Sequence, residues 1–370
     1  MIARAVGGPA VHGWAADGFE AVAEALAGTT AEMGGAAVAA YHRGRLVVDA
    51  YAGDWQPDTL PMLFSGTKGF TAACVLLLVE RGQVELAAPL ARYWPAFAAR
   101  GKSAVTVAEV MSHQCRLPGV PGGVTVADLR DHDTMAGLLA DSALDEDPRA
   151  GFVYHALTTG WLIAELVRRV DGRPLGRFFA EEFAGPLGLD AWIGLPETEH
   201  HRAATMIAGP GVLTDPAPVS RDPLRRRVHN PITVTGSDTV WNSAAFRSAG
   251  LPSVGGFATA RAVARFYSCL VTGESGLAPA TVALGRTALR RGVEPLWGIP
   301  VAYGVGFEVG VPHLGPVPDA FGHSGFGGSR HGAWPGRQVG FSYVMGEVRN
   351  QPDNRAATVL AALNTAVTDR

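Results

Sequence analysis

The segment Ser65-Gly66-Thr67-Lys68 places a hydroxyl and an amine three residues apart at the start of an apolar stretch. If that stretch is a helix, the two side chains lie on the same face and can come within hydrogen-bond reach. A serine hydroxyl is a weak nucleophile that needs an adjacent base. A lysine amine can be that base, or assist one, when burial or a nearby positive charge lowers its pKa. The pair therefore predicts nucleophilic catalysis by Ser65.

Lysine is rare in this chain, which makes its two positions informative. Of the 31 basic residues, 29 are arginine and only Lys68 and Lys102 are lysine. Arginine stays protonated in proteins, whereas a lysine amine can lose its proton. With 14 serines and two lysines in 370 positions, chance gives about 0.08 Ser-x-x-Lys pairs. We therefore interpret the pair at the head of the apolar stretch as functional.

The element that carries the pair is predicted to be a buried helix. Residues 65–81 are apolar on nearly every side, and Gly82 follows them as a residue that ends helices. Upstream, the patterns of Ala36–His42 and Leu46–Tyr51 are typical of two strands joined by a tight Arg-Gly turn. The sequence thus predicts a β-hairpin followed by the helix that presents the nucleophile.

The middle of the chain is predicted to be mostly helical, and its C-terminal part returns to strands. The clearest helical patterns between residues 85 and 290 are Thr106–Ser112, Leu157–Val170 and Thr259–Val271. Short strands separated by glycines and a closing amphipathic helix follow them. The strands are predicted at Tyr303–Val309, Ala320–Ser324, Ser329–Trp334 and Val339–Gly346, and the helix at Asn354–Val367.

This order of elements indicates an α+β fold. We expect one antiparallel sheet built from both chain ends and flanked by helices, with an inserted, mostly helical region. Residues 1–370 would then form a single catalytic domain. Its α/β subdomain would comprise about 1–84 and 291–370, and its helical subdomain about 85–290.

Composition and charge exclude several classes of protein. With 47% hydrophobic and 18% charged residues, the chain is not globally disordered. A net charge of −3 argues against a nucleic-acid-binding surface. The three cysteines are Cys74, Cys115 and Cys269, and they form neither a disulfide framework nor a zinc ribbon. No metal and no cofactor is expected.

The sequence also leads us to expect a cytoplasmic protein that does not bind membranes. The first residues lack the apolar core of a secretory signal. The longest strongly apolar stretch, residues 72–79, is far too short to span a bilayer. The oligomeric state stays open at this point.

Four stretches in order along the chain resemble motifs of the serine β-lactamase and penicillin-binding-protein superfamily. The first, Phe64-Ser-Gly-Thr-Lys-Gly-Phe-Thr, resembles its nucleophile motif. Residues 106–118 resemble the helix and turn before the active-site loop, and 148–156 resemble the Tyr-x-Asn motif with its upstream proline. Residues 321–329 resemble the third motif, Lys-Thr-Gly or His-x-Gly. More narrowly, the chain is similar to class C β-lactamases and family VIII carboxylesterases.

The resemblance implies a role for each matching residue. Ser65 would be the acylated nucleophile, and Tyr154 the general base that Lys68 keeps anionic or with which it shares a proton. The backbone N–H groups of Ser65 and Phe326 would form the oxyanion hole. His323 would line the pocket and orient the substrate or Tyr154. The remaining residues expected to contact substrate are Ser324, Gly325, His155 and Trp241.

Two departures from the lactamase pattern favour ester chemistry. Ala156 stands where class C lactamases have the asparagine that contacts the substrate amide, and His323 replaces the lysine that pairs with the lactam carboxylate. A third departure is Arg116, at a position where relatives usually have glycine. We expect this last change to reshape the edge of the pocket.

The predicted function is therefore a serine hydrolase that cleaves carboxylic esters through an acyl-enzyme. The substrate would be a small-molecule ester, amide or thioester. An acyltransferase that uses the same Ser-Lys-Tyr site for natural-product synthesis is the main alternative. A β-lactamase, a D-amino acid amidase and a non-catalytic binding or sensor protein are further alternatives.

Overall fold

An antiparallel sheet of ten strands brings the two ends of the chain together. The computed structural model describes residues 3–5, 11–29, 34–120, 124–210, 212, 221–228, 238–350 and 352–368. The strands of these residues are β1 (Ala3–Ala5), β2 (Val11–Ala16), β3 (Ala36–His42), β4 (Arg45–Ala52), β5 (Ala191–Ile193), β6 (Ile207–Ala208), β7 (Gly256–Ala258), β8 (Arg290–Val293), β9 (Pro300–Tyr303), β10 (Glu308–Val309), β11 (Phe321–Ser324), β12 (Arg330–Trp334), β13 (Val339–Met345) and β14 (Glu347–Val348). The order in the large sheet is β1-β2-β4-β3-β13-β12-β11-β10-β9-β8, and β5–β7 and β6–β14 form two small sheets.

Helices pack against this sheet, and most of them lie between β4 and β8 along the chain. The α-helices of the described residues are α1 (Glu20–Ala27), α2 (Thr67–Glu80), α3 (Val107–Met111), α4 (Val126–Leu129), α5 (His132–Asp141), α6 (Thr158–Asp171), α7 (Leu175–Phe179), α8 (Gly185–Leu187), α9 (Pro223–Val228), α10 (Asp238–Trp241), α11 (Ala244–Ser248), α12 (Ala260–Thr272), α13 (Pro279–Gly285) and α14 (Arg355–Thr368). Helix α12 packs against β3, β12 and β13, and α1 packs against α14 and β2. The predicted α+β fold is confirmed.

The N-terminal hairpin forms where the sequence predicts it. Arg43 and Gly44 join β3 to β4, and both have positive φ, of 51° and 74°. Turns of this backbone hand match the twist of the strands that they connect. Strand β13 then pairs with β3 over seven residues, from Val339 opposite His42 to Met345 opposite Ala36. This pairing joins the two chain ends in one sheet.

One predicted strand is wrong. The sequence predicts a single strand over residues 303–309, but β9 ends at Tyr303 and β10 begins at Glu308. Between them Gly306 has a φ of +78°, and a Cβ atom there would lie 2.8 Å from the Met111 side chain. The chain therefore reverses in a tight turn, and β9 and β10 pair with each other.

Helix α2 crosses the interior, as its apolar sequence predicts. Every residue from Thr67 to Leu78 is buried, and α2 packs against α6, α7 and α13. Gly69 lets α12 come close, because a Cβ atom at that position would lie 2.1 Å from the Tyr267 hydroxyl. The predicted nucleophile therefore lies at the N-terminal end of a helix that is buried on all sides.

The predicted helices of the middle region are present as α3, α6 and α12, and side-chain caps explain two of their starts. Thr106 accepts from the Glu109 N–H while Glu109 accepts from the Thr106 N–H, a reciprocal capping box. The Thr259 hydroxyl accepts from the Ala262 N–H at the start of α12. Helix α6 ends at Gly172 in the left-handed conformation.

None of the helices in the described ranges is long and apolar enough to cross a membrane.

The second lysine, Lys102, is a structural residue. Its side chain is fully buried, and Nζ donates to the carbonyl oxygens of Ala99, Ala140 and Ser142. Two of these carbonyls lie at the C-terminal end of α5, where the last carbonyls of a helix lack partners within it. An ammonium can direct three N–H bonds to three such oxygens from one point. This geometry explains a lysine at position 102 in an arginine-rich chain.

Replacing Lys102 with methionine should lower the free energy of unfolding by about 3 kcal/mol, because buried carbonyls would lose their donor. Urea denaturation of Lys102→Met against wild type measures the change. Arg100→Met is the matched control, since Arg100 pairs with Asp141 on the surface with both side chains exposed. The control should change stability by less than about 1 kcal/mol. A Lys102→Met loss no larger than that of the control would contradict this role.

Candidate active site

Ser65 follows a residue with unusual backbone geometry. Phe64 has a φ of +47°, which is rare for a bulky residue and costs conformational energy. Its ring is held edge-to-face by Trp241, at a centroid distance of 5.2 Å, and by Phe326, at 5.7 Å. A short 3₁₀ turn, Phe64–Gly66, then leads into α2 and leaves Ser65 half-buried. The strained turn presents the Ser65 hydroxyl at the tip of the buried helix.

Lys68 lies one turn further along α2 and is buried. Its Nζ lies 3.1 Å from Ser65 Oγ, 2.8 Å from the Ala156 carbonyl oxygen and 3.4 Å from the Ser253 carbonyl oxygen. Burial lowers the pKa of Lys68 to about 7, and the negative charge of Glu308 partly opposes this shift. A neutral amine can donate to the two carbonyls and use its lone pair to accept the Ser65 proton.

Tyr154 comes from the loop before α6, and its hydroxyl donates to Ser65 Oγ over 2.9 Å. Its ring lies against His113, at a centroid distance of 4.7 Å, and stacks on Tyr303 at 6.2 Å. Burial raises the pKa of Tyr154, and the negative charge of Glu308 raises it further. The neutral phenol is therefore the stable form.

These three side chains form one hydrogen-bonded chain. Tyr154 donates to Ser65 Oγ, and Ser65 can donate its own proton to a neutral Lys68 amine. The predicted nucleophile, base and relay thus meet although Tyr154 lies 89 residues from Ser65. The arrangement can remove a proton from Ser65 and supply one close to it, as acyl transfer requires.

The third motif lies on β11, and a buried carboxylate fixes its end. Glu308 of the neighbouring β10 accepts from the Ser324 N–H over 2.7 Å and from the Ser324 hydroxyl over 2.9 Å. His313 Nε2 lies 3.0 Å from the same carboxylate. Although burial disfavours the carboxylate, His313 and the Ser324 N–H hold the pKa of Glu308 below its usual range. The hydroxyl of Ser324, expected to contact substrate, is thus engaged with Glu308.

His323 and Gly325 occupy the positions on either side of Ser324. His323 is buried beside Tyr154, with 6.1 Å between ring centroids, and its Nδ1 lies 2.7 Å from the Ser324 carbonyl oxygen. Burial lowers the pKa of His323 to about 4, so the ring is neutral at pH 7. At Gly325 a Cβ atom would lie 2.5 Å from the Leu63 carbonyl oxygen. Glycine there lets the third motif approach the Ser65 turn.

The two backbone N–H groups expected to form an oxyanion hole lie in the Ser65 turn and in the loop after β11. Within the described part of the chain, neither the Ser65 nor the Phe326 N–H donates to a protein acceptor. The loop is fixed by Arg355, whose guanidinium donates to the Gly327 carbonyl over 2.9 Å and pairs with Asp353. The oxyanion-hole assignment stays a prediction.

Two residues expected to contact substrate lie beneath the site. His155 is fully buried, its Nε2 accepts from the Leu117 N–H over 3.0 Å, and its Nδ1 lies 2.6 Å from the Val153 carbonyl. Because backbone groups occupy both ring nitrogens, His155 holds the Tyr154 loop, and neither nitrogen is left without a partner. Trp241 is also buried and packs under Phe64 and Phe326, so it supports the wall from behind. The structure therefore lends no support to the substrate contacts expected of these two residues, which stay predictions.

Arg116 stands where relatives usually have glycine, and its backbone and side chain both have a role at this position. Its φ is +55°, in the left-handed region that favours glycine. Its guanidinium donates to the Asp145 carbonyl over 2.8 Å and to the Asp147 carbonyl over 3.2 Å. The side chain thus ties its own loop to the loop of Asp145 and Asp147, and the expected reshaping of the pocket edge stays a prediction.

Comparison with known proteins places the chain in a family. Residues 20–365 match the beta-lactamase family. The chain belongs to that family. The "Esterase/beta-lactamase LipL" of Mycobacterium tuberculosis is 35% identical over 335 residues, which cover 85% of this chain and 76% of that protein.

Solved structures agree with the family in fold. A family VIII carboxylesterase is 31% identical, with a TM-score of 0.88 over 96% of this chain and 99% of that one. EstA from Arthrobacter nitroguajacolicus Rue61a is 30% identical, with a TM-score of 0.86 over 100% of this chain and 99% of that one. The resemblance stated from the motifs is therefore confirmed.

The reaction of Ser65 with a fluorophosphonate should depend on the protonation of Lys68. Below a pKa of about 7 the ammonium has no lone pair to accept the serine proton. We expect the second-order labelling rate to fall about tenfold per pH unit below 7 and to level off above it. Rates from pH 5 to 9 measure this dependence with a probe that carries no titrating group. A flat profile over this range would show that Lys68 does not titrate there.

Proposed function

We propose that the protein is a serine esterase that cleaves carboxylic esters through an acyl-enzyme on Ser65. The observation that carries the proposal is the chain of contacts from the Tyr154 hydroxyl through Ser65 Oγ to the buried Lys68 amine. The names of the similar proteins, an esterase/beta-lactamase and a family VIII carboxylesterase, support the same reaction class. Both agree with the prediction of a serine hydrolase with a β-lactamase fold.

In the acylation step Lys68 acts as the base. Ser65 Oγ attacks the ester carbonyl carbon, and its proton moves to the neutral Lys68 Nζ at 3.1 Å. This assignment revises the role predicted for Tyr154, because burial and the nearby Glu308 carboxylate disfavour a phenolate. The backbone N–H groups of Ser65 and Phe326 are assigned to the negative charge that develops on the carbonyl oxygen.

Tyr154 then supplies the proton that the leaving alcohol needs. Its hydroxyl points at Ser65 Oγ, the atom beside which the leaving oxygen separates. When the bond between the carbonyl carbon and the alkoxy oxygen breaks, the alcohol departs with the Tyr154 proton. The Lys68 ammonium, which like the Tyr154 hydroxyl lies within hydrogen-bond distance of Ser65 Oγ, restores that proton. Water attacks the acyl-enzyme along the reverse path and returns a proton to Ser65.

The surroundings of the site favour neutral esters over β-lactams. Ala156 contributes a methyl group and a carbonyl oxygen that binds Lys68, so it offers no side-chain amide to a substrate. His323 is neutral at pH 7 because burial lowers its pKa to about 4, and it cannot pair with a lactam carboxylate as an ammonium would. A substrate without a carboxylate loses no binding interaction at Ala156 or at His323.

Ser65→Ala should abolish hydrolysis of p-nitrophenyl butyrate, with a loss of at least about a thousandfold, because the nucleophile is removed. Release of nitrophenol measures the rate, and a fluorophosphonate probe measures labelling. Ser103→Ala is the matched control, since Ser103 is an exposed serine outside the site. The control should hydrolyse and label like wild type. Equal hydrolysis by Ser65→Ala and wild type would remove Ser65 from the reaction.

Lys68→Arg should slow acylation at least about a hundredfold, the low end of what acid–base assistance contributes. The guanidinium keeps the positive charge but cannot lose its proton. It is also larger than the ammonium that fits between Ser65 and the Ala156 carbonyl. The acylation rate constant measures the effect, with circular dichroism to check that the variant is folded. A folded variant within about threefold of wild type would show that the site needs only a fixed charge.

A further inference from the structure

The hairpin that joins β8 to β9 exposes apolar side chains beside Tyr154. Val293 is 62% exposed, Trp297 40% and Ile299 45%, and all three lie within seven residues. The Trp297 ring lies 6.1 Å from the Tyr154 ring between centroids. A cluster of exposed apolar side chains is costly in water and marks a binding surface more often than chance. The catalytic steps proposed for Ser65, Lys68 and Tyr154 do not involve this hairpin.

The tip of the hairpin is fixed to the Tyr154 loop by a buried carboxylate. Glu294 accepts from the N–H groups of Leu296, over 2.7 Å, and Trp297, over 2.9 Å. Its other oxygen accepts from the Tyr154 N–H over 3.3 Å. Burial raises the pKa of Glu294, and these three N–H groups compensate in part. One side chain thus sets the position of Trp297 relative to Tyr154.

A small apolar cluster supports the tip from below. Leu296 is buried with Ala150, Val153, Leu224 and Val228, apart from the main core. The Leu296 carbonyl also accepts a hydrogen bond from the Arg225 guanidinium. These contacts fix the residue next to Trp297, so the indole is presented on a rigid support.

The position of Trp297 decides which part of an ester it can reach. In the proposed reaction Tyr154 gives its proton to the leaving alcohol, so the alkoxy group departs on the Tyr154 side of Ser65. The carbonyl oxygen, by contrast, is directed to the N–H groups of Ser65 and Phe326. The Phe326 ring lies against Phe64 and thus on a different wall. A side chain beside Tyr154 therefore meets the alcohol part of the substrate.

We propose that the β8–β9 hairpin tip, residues 293–299, is the binding site for the alcohol part of the ester and that Trp297 selects esters of apolar or aromatic alcohols. The inference rests on the proposed esterase function and adds the class of leaving group. The indole offers a large apolar surface to a benzyl or alkyl group. Glu294 is a positioning residue, because it acts on the substrate only through Trp297.

The same site also binds an alcohol that acts as the acceptor of the acyl group instead of as the leaving group. An alcohol bound on Trp297 attacks the acyl carbon of the acyl-enzyme, its proton passes to the Lys68–Tyr154 pair, and the bond between the acyl carbon and Ser65 Oγ breaks. Ser65 regains a proton, and a new ester is released. This step is the reverse of acylation, so an apolar alcohol should compete with water at this site.

The test compares alcohols at a constant acyl group. We expect wild type to have a higher kcat/KM for benzyl butanoate than for methyl butanoate, and Trp297→Ala to reduce this preference about tenfold, as the loss of one apolar contact predicts. The ratio of kcat/KM for methyl hexanoate to that for methyl butanoate should change less than about twofold. Leu284→Ala, at an exposed leucine on α13, is the matched control and should change neither ratio.

A second measurement follows the acyl-enzyme. With vinyl butanoate as donor and benzyl alcohol as acceptor, the ratio of benzyl butanoate to butanoic acid should fall about tenfold in Trp297→Ala. The ratio with methanol as acceptor should stay near that of wild type. Trp297→Phe should recover most of both preferences, since it keeps an aromatic ring. Glu294→Gln should lower the benzyl preference, and adding it to Trp297→Ala should change little more, because Glu294 acts through the indole.

Three results would overturn the inference. An equal loss on benzyl and methyl esters would make Trp297 a structural residue, and a loss that follows acyl length would place the acyl group on the hairpin. An unchanged benzyl preference in folded Trp297→Ala would remove the hairpin from recognition. In each of these cases Ser65 would still be labelled and esters still cleaved, so the proposed function would stand. Absence of both labelling and hydrolysis in wild type would overturn the function itself.

Discussion

The burial of the Lys68 amine is the constraint on which the site depends. A buried ammonium is costly unless it is paired, and among the described residues its hydrogen-bond partners are two main-chain carbonyls and one hydroxyl, with no carboxylate. The amine therefore titrates near pH 7, where it can both accept and return a proton. Because those carbonyls belong to Ala156 and Ser253, distant in sequence, the fold must hold three segments around one nitrogen atom.

The two lysines of the chain differ in the partners of their amines, which fits a structural role for Lys102 and the catalytic role proposed for Lys68. Lys102 directs its three N–H bonds to three carbonyls, which are satisfied only by a protonated amine. Lys68 has two carbonyls and the Ser65 hydroxyl, which can either accept a bond from the amine or donate one to it. At Lys68 a hydroxyl takes the place of one of the three carbonyls. This single difference lets the Lys68 amine exist in both protonation states.

Local patterns predicted the parts of the fold and site that depend on neighbouring residues. The Ser65–Lys68 spacing and the strands of the N-terminal hairpin follow from helix and strand periodicity, and motif order brought in Tyr154. Glu294 and Glu308 could not be found in this way, because single acidic residues acquire their roles only from strands that pair far along the chain. The backbone partners of His155 could not be predicted for the same reason, since proximity in sequence to Tyr154 does not reveal which way its ring is turned.

The charges around the third motif bear on the role proposed for Lys68, in a site that has His323 where the lactamases have a lysine. With His323 neutral, the negative charge of the buried Glu308 carboxylate opposes the effect of burial on the Lys68 pKa. Burial alone would depress the Lys68 pKa further and leave a weaker base, whereas a closer carboxylate would keep the amine protonated. Glu308 bonds Ser324 and His313 instead of Lys68, so its charge acts at longer range. Burial and the Glu308 charge thus have opposing effects on the Lys68 pKa. Their balance keeps the amine basic enough to take the Ser65 proton and leaves part of it unprotonated at neutral pH, so that it can accept that proton.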